Sequence, residues 1–346
     1  MIEGVFSRRR AVHLLAAAVF TVAGVMATAE AAEKVTIGAL RFTSSSPLFI
    51  AYERGYFADE GLDAEFTFFQ AAQPVAVAIA SGDVDFGVTA LTGGFFNLAS
   101  KGALKVIGGH FHEEKGYEGS AVLASNKAYE AGFTSIDKFP GRSLGITQIG
   151  SSFHYMAGRI AEAEGFPLSE IKLRPLQKVG AIIGALKSGQ VDSMIIVPHI
   201  ARALDRSGAA KIIGWVYDYA PYQVTTLFTS TGNTENKPEL VKRFVKAYQR
   251  GIADYRAVML NQDKDPAATE EMTRLIHKYV YADRPYEKAA PSIKAGAIYV
   301  NENARLDVGD VKAQLEWFQA QGLVSGGFDY RAIVDTSFVE AYNLPK

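Results

Sequence analysis

The order strand, helix, strand, helix, strand runs twice through this chain, the second time about 100 residues after the first, and no other feature restricts its fold so far. In the first pass residues 35–40 are a short β-branched strand that stops at Thr43-Ser44-Ser45-Ser46-Pro47. Ser46 suits an N-cap and Pro47 a first helical position, because proline lacks the N–H that would be orphaned there. Gly55 can end that helix in a left-handed conformation. Residues 63–69 are the next strand, Pro74 opens a second helix that Gly82 closes, and residues 84–88 are the third strand. In the second pass residues 143–149, 171–176 and 191–197 are strands. One helix follows Gly150-Ser151-Ser152 and runs to Gly165, and another covers residues 179–188. Details repeat too: Ser81-Gly82-Asp83-Val84-Asp85 matches Ser188-Gly189-Gln190-Val191-Asp192, and Glu60-Gly61-Leu62 matches Glu164-Gly165-Phe166. These pairs read as helix stops before buried strands, with Asp85 and Asp192 bonding a neighbouring loop's backbone. Strands that alternate with helices call for parallel sheets covered on both faces. The sequence therefore predicts an α/β protein with two lobes of similar build and parallel-rich sheets.

Residues 121–124 and 224–228 are extended β-branched runs flanked by Gly119 and Gly232, and they read as two crossings between the lobes. The first lobe is then discontinuous, residues 32–121 with 228–346, and residues 122–227 form the second. The tail from Pro238 is mainly helical: Leu240, Val241, Phe244, Val245 and Tyr248 recur at helical spacing, as do Leu315, Trp317, Phe318 and Leu323. It is expected to pack on the first lobe and close its core.

Arg8, Arg9 and Arg10 precede an apolar run over residues 11–27, and Ala29-Glu30-Ala31 follows as a small-x-small site. This reads as an export signal cleaved near Ala31, and the interruptions at His13, Thr21 and Gly24 weigh against a retained membrane span. Ser7 before the arginines leaves both the general and the twin-arginine export routes open. Three arginines and two glutamates go with residues 1–31, so of 36 basic and 37 acidic residues 33 and 35 remain. That balance gives no electrostatic footprint for nucleic acid and no polybasic tether. Cysteine is absent, which removes disulfides, thiolate nucleophiles, cysteine metal sites and a lipidated N-terminus. A freely diffusing periplasmic monomer is expected.

The run Pro47-Leu48-Phe49-Ile50-Ala51, then Gly55-Tyr56-Phe57, then Glu60-Gly61-Leu62-Asp63, resembles the N-terminal signature of periplasmic solute-binding proteins of the nitrate, sulfonate and taurine type, the NMT1/THI5-like family. Gly150-Ser151-Ser152-Phe153-His154-Tyr155 is similar to that family's second-lobe turn. Leu315-Glu316-Trp317-Phe318 to Gly322-Leu323, with Asp335-Thr336-Ser337-Phe338, is similar to its C-terminal part. The resemblance spans the chain after residue 31. It implies a type II periplasmic binding fold, in which two lobes joined by a two-segment hinge close on a ligand, and a receptor role in an ABC importer. It says little of the ligand, because the family carries nitrate, organosulfonates, pyrimidines, riboflavin and aromatic acids.

In open parallel sheets, ligands bind beyond the carboxyl ends of strands, where helix N-termini point outwards. By that rule the first lobe delivers Ser44, Ser45 and Ser46 after its first strand and Thr92 after its third. The second delivers Gly150, Ser151, Ser152 and His154, and then Pro198 and His199. Four helix starts thus converge, each with open N–H groups and about half a positive charge from the macrodipole. An anionic head group can be held there without a neutralising arginine, with hydroxyls as further donors. One of Ser151 and Ser152 caps the helix, and the family motif implies ligand contact for the pair. His154 is either a neutral donor or a histidine bonded to its own lobe's backbone, since a charged imidazolium would oppose the dipole. His199 either faces the cleft or lies on the surface. Thr92 precedes Gly93-Gly94, which lets backbone approach a ligand. His110 is expected as a rim donor. With His112 at i+2 it would share a strand face, but no third ligand stands at a suitable spacing and no metal is expected. Tyr222, Phe42, Phe95 and Tyr155 are aromatics near the cleft that could stack on an organic ligand. Arg41 and Arg202 are the nearby cations, too few for a doubly charged phosphate ester, which favours a monoanion.

The expected function is capture of a small organic anion, a sulfonate or a carboxylate, without a cofactor. Hinge closure would then present the closed shape to the transmembrane subunits of a permease. Two alternatives stay open. One is an enzyme of the same fold, of the pyrimidine- or menaquinone-synthesis type, although this chain lacks the cysteine-rich iron segment of the first. The other is a periplasmic ligand sensor.

Overall fold

A computed structural model describes Met1 and residues 31–345, so the expected export signal lies outside the described residues apart from its two ends. The chain starts with β1 (Glu33–Leu40), α1 (Ser46–Glu53), α2 (Tyr56–Asp59), β2 (Leu62–Phe69), α3 (Ala72–Ser81), β3 (Phe86–Ala90), α4 (Gly93–Ala99) and β4 (Leu104–Gly109). It continues through β5 (Ala121–Ser125), α5 (Asn126–Glu130), β6 (Ser143–Ile146), α6 (Ser152–Glu164), β7 (Lys172–Pro175), α7 (Val179–Lys187), β8 (Ser193–Ile196), α8 (Pro198–Arg206) and β9 (Ala210–Trp215). After β10 (Thr225–Ser230) come α9 (Thr231–Asn236), α10 (Pro238–Met259), α11 (Pro266–His277), α12 (Tyr286–Lys294) and α13 (Val308–Ala320). Among the described residues no helix is long and apolar enough to cross a membrane.

Two five-stranded sheets of one design result, in the orders β2-β1-β3-β10-β4 and β7-β6-β8-β5-β9. In each, a central strand lies between two parallel partners: β1 between β2 and β3, β6 between β7 and β8. Central strands are covered on both faces, and from Val35 onwards only Thr36 of β1 is not buried. Edge strand β2 instead begins by alternating buried Leu62 and Ala64 with exposed Asp63 and Glu65. The two predicted crossings are themselves strands, and both run antiparallel to their neighbours. β5 enters the second sheet between β8 and β9, and β10 returns to the first between β3 and β4. Each sheet is therefore mixed, with its parallel part built from the repeated unit.

The repeated aspartates have one job. Asp85 accepts the N–H of Thr36 at 2.8 Å, and Asp192 accepts both the N–H and the hydroxyl of Ser143 at 2.8 Å. Each carboxylate thus anchors the central strand beside it, rather than a loop. Gly82 and Gly189 stop the preceding helices with φ of +85° and +71°, which frees the chain to turn into those strands.

The helix starts differ in detail from the sequence reading. A 3₁₀ turn over Thr43–Ser45 runs straight into α1, so Ser45 is the cap, without a side-chain bond, and Ser46 is already helical. The Ser46 N–H already donates to the Thr43 carbonyl and Pro47 has no N–H, which leaves a hydroxyl cap little to do. Helix α3 begins two residues before Pro74, as the first turn tolerates a missing N–H. The tail packs on the first sheet's helices through α10, yet it also reaches the second sheet's helices. Arg206 of α8 donates to Ser292 of α12 at 2.7 Å, and Trp317 of α13 donates to Glu162 of α6 at 3.1 Å. Gly158 makes room for that indole, since a Cβ there would strike the ring.

Candidate functional site

The carboxyl ends of both sheets open on one cavity of about 740 Å³, its mouth included. The two sheets belong to one compact unit, Ala32–Lys346. From the first sheet Ser44, Ser45, Gln73, Thr89 and Thr92 line the cavity; from the second come Thr147, Gln148, Ser151, Ser152 and Val197. Phe42, Phe111, Phe153, Met156 and Val224 form much of the apolar wall. No aspartate, glutamate, lysine or arginine is among the lining residues.

Two helix N-termini from opposite sheets reach this cavity in comparable ways. Ser151 caps α6 by accepting the His154 N–H at 3.3 Å. Ser152 and Phe153, the first two helical residues, have N–H groups with no intrahelical acceptor, and both line the cavity. On the other side Ala72 and Gln73 open α3 and line it too. The Gln148 amide bonds the Gln73 side chain across the gap, and the Gly93 N–H donates to the Gly150 carbonyl at 2.8 Å. The hydroxyl of Thr89 is buried without a hydrogen-bond partner.

Several residues expected at the ligand are used elsewhere. Gly150 adopts the left-handed φ of +81° that favours glycine, and its carbonyl pairs with the Gly93 N–H. His154 accepts the Gly150 N–H on Nδ1 at 3.1 Å and stands edge-on to Trp317, so it holds its own turn and does not line the cavity. Burial lowers its pKa. His199 is buried against Thr43, its Nδ1 3.0 Å from the hydroxyl, which ties α8 to the loop after β1. Burial pushes its pKa down to about 3. Pro198 is the first residue of α8, and its predecessor Val197 lines the cavity in its place. Ser46 turns into the core with its hydroxyl unpartnered, because the 3₁₀ turn shifts it past the cleft. Tyr222 packs at a tilt of 59° against Tyr155 behind the wall, at 5.0 Å between ring centroids, and its hydroxyl has no partner.

His110 does line the cavity, though not as a free rim donor. Its Nε2–H donates to the Ser44 carbonyl and its Nδ1 accepts from the Tyr248 hydroxyl, and burial lowers its pKa to about 4 despite the Ser44 bond. His112 is turned away to Glu114 and Asp310, so the two histidines form no metal pair. Of the four aromatics singled out, Phe42 lines the cavity; Phe95 lies in the core. Both nearby arginines are committed: Arg41 lies over the Phe68 ring at 3.8 Å, and Arg202 pairs with Glu118 at 2.9 Å. Gln73, Thr147, Gln148 and Thr225 were not singled out in the sequence, whereas the strand end over residues 89–92 was. Thr147 and Gln148 directly follow a strand that ends at the cavity, so the strand-end rule reaches them once boundaries are known.

The family described as NMT1/THI5 like matches residues 43–258, more than half of the chain, from the 3₁₀ turn to α10. The chain belongs to the NMT1/THI5-like family. No curated protein matches it. Solved structures share the fold of this NMT1/THI5-like chain at low identity. The alkanesulfonate-binding protein SsuA from Xanthomonas axonopodis pv. citri, bound to MOPS, is 17% identical with a TM-score of 0.71, covering 89% of this chain and 100% of that one. The periplasmic aliphatic sulphonate binding protein SsuA from Escherichia coli is 16% identical at TM-score 0.68, over 91% and 96%. The periplasmic nitrate-binding protein NrtA from Synechocystis PCC 6803 is 14% identical at TM-score 0.63, over 87% and 84%. The periplasmic binding fold implied by the family resemblance is thereby shown.

Proposed function

We propose that this NMT1/THI5-like protein is an exported receptor that captures a small organic monoanion, a sulfonate or carboxylate, between two lobes and delivers it to an ABC permease. The lobes in this reading are residues 32–121 with 228–346, and 122–227. One observation carries the proposal: the cavity receives the open N-terminal turns of α3 and α6 from opposite sheets, and no charged side chain lines it. Partial positive charge and serine and threonine hydroxyls can hold a single negative charge there, whereas a dianion would lack counter-charge. The apolar wall of Phe42, Phe111, Phe153 and Met156 suits an organic body better than a bare inorganic ion.

Closure follows from the same placement. A ligand touching both helix starts favours the closed arrangement only by the contacts that the open one lacks. Gln73–Gln148, Gly93–Gly150 and Thr43–His199 are the protein's own contacts across that gap. The engaged ring nitrogens of His110 support capture over general-base catalysis, since neither lone pair nor proton is left for a substrate.

The test is a thermal-shift screen of sulfonates, carboxylates, nitrate and neutral pyrimidines, followed by calorimetry on hits. A ligand at about 100 times its dissociation constant should add roughly 2.7 kcal/mol to stability. A monoanionic hit that Ser152→Ala weakens supports the reading. Stabilisation only by neutral or dianionic compounds, or by none of the panel, would reject it.

A further inference from the structure

We infer that His112, Asp307 and Asp310 form a binding site for a divalent transition-metal ion, zinc foremost, separate from the solute cavity. His112 lies just beyond β4, Asp307 caps α13, and Asp310 is in that helix's first turn. One ligand atom from each falls within 4.8 Å of the others, and His112 Nε2 is 3.7 Å from Asp310 Oδ2. Around zinc, with bonds of about 2.0–2.1 Å, neighbouring donors stand about 3.3–3.4 Å apart. The His112–Asp310 edge is therefore near its metal-bound length already.

The surroundings orient these donors as a metal site requires. His112 Nδ1 is buried without a hydrogen-bond partner and lies 3.3 Å from a Glu114 carboxylate oxygen. With its proton on Nδ1, His112 presents the Nε2 lone pair to Asp310, 3.7 Å away. Asp307 is held by the Asp310 N–H at 3.0 Å and by Asn343 at 2.7 Å, and Asp310 by the Gln223 N–H at 2.8 Å. Asp307 is only 4% exposed, so two carboxylates meet where water screens them little. The side chains of His112 and Asp310 keep 14% and 23% exposure, which gives an ion entry and a water a fourth position. One imidazole with two carboxylates suits zinc better than calcium or magnesium, which take oxygen donors in larger number. His112 also bridges Gln223, so an ion here would fasten the two connecting segments to the tail.

The test uses the untagged chain after chelator treatment, titrated calorimetrically with zinc chloride and followed by thermal unfolding. No solute is needed, so the outcome is independent of the proposed function. The expected result is one equivalent of zinc, a higher unfolding temperature, and binding at least about 10-fold weaker in Asp310→Asn and in His112→Gln. Calcium and magnesium should bind more weakly than zinc. No saturable zinc uptake by the folded protein, variants that bind as tightly as the parent, or calcium binding as tightly as zinc would each overturn the assignment.

Discussion

Three buried groups, His199, His110 and Glu113, should shape how acid changes this protein's stability, and His199→Asn should reduce the loss on acidification. Burial holds His199 at about 3 and His110 at about 4, against 6.5 when unfolded. A depressed folded-state value means that the unfolded chain binds more protons below pH 6.5. The stability from each neutral histidine is therefore full above 6.5 and is lost as pH falls towards 4 and 3, roughly 2 kcal/mol apiece between pH 7 and pH 5. Glu113 runs the other way. Burial raises it to about 7 from 4.5, against the bonds from Ser120, so its contribution is full below 4.5 and lost as pH rises through 7. On the same descent it returns roughly 2 kcal/mol. Relative to the parent, Glu113→Gln should then lose about 2 kcal/mol more and His199→Asn about 2 kcal/mol less, since asparagine can keep the Thr43 bond without titrating. Urea unfolding followed by circular dichroism at pH 7 and pH 5 measures all three. A loss in His199→Asn equal to the parent's, or a Glu113→Gln protein no more acid-sensitive than the parent, would refute the reasoning.

Three other perturbations test separate parts of the structure. Ala72→Trp places an indole at the α3 edge of the cavity and should abolish binding of any screening hit with the circular-dichroism spectrum unchanged; retained affinity would move the site elsewhere. Gly158→Val drives a side chain into Trp317 and should cost about 1–3 kcal/mol in urea unfolding, whereas unaltered stability would contradict the contact between α6 and α13. Asp192→Ala strips Ser143 of its partner and should cost about 1–3 kcal/mol by the same assay, and Asp85→Ala, with one bond to lose, should cost less.

The repeated unit was legible because it rests on local chemistry: β-branched runs, glycines at helix ends, and a Ser-Gly-x-Val-Asp segment before the third strand of each pass. The family signature from Pro47 onwards pointed the same way. Strand direction was not legible in residues 121–124 and 224–228, since an antiparallel insertion and a parallel one share the same apolar pattern. Half of the residues expected at the ligand line the cavity. Ser44, Ser45, Thr92, Ser151, Ser152 and His110 do line the cavity, because the strand-end rule depends only on topology. His154, His199, Ser46, Pro198, Gly150 and Tyr222 do not, and the reason is packing between distant segments. Nothing near His199 in sequence announces Thr43, 156 residues away, as its partner. The pairing of Gln73 with Gln148 is equally long-range.

The most direct measurement is a crystal structure of the protein with the best monoanion from the screen. The head group should lie between the first turns of α3 and α6, within about 2.7–3.2 Å of N–H or hydroxyl donors at Gln73 and Ser152, with its body against Phe42 and Phe153. A ligand bound outside this cavity, or held in it by one sheet's residues alone, would contradict the account.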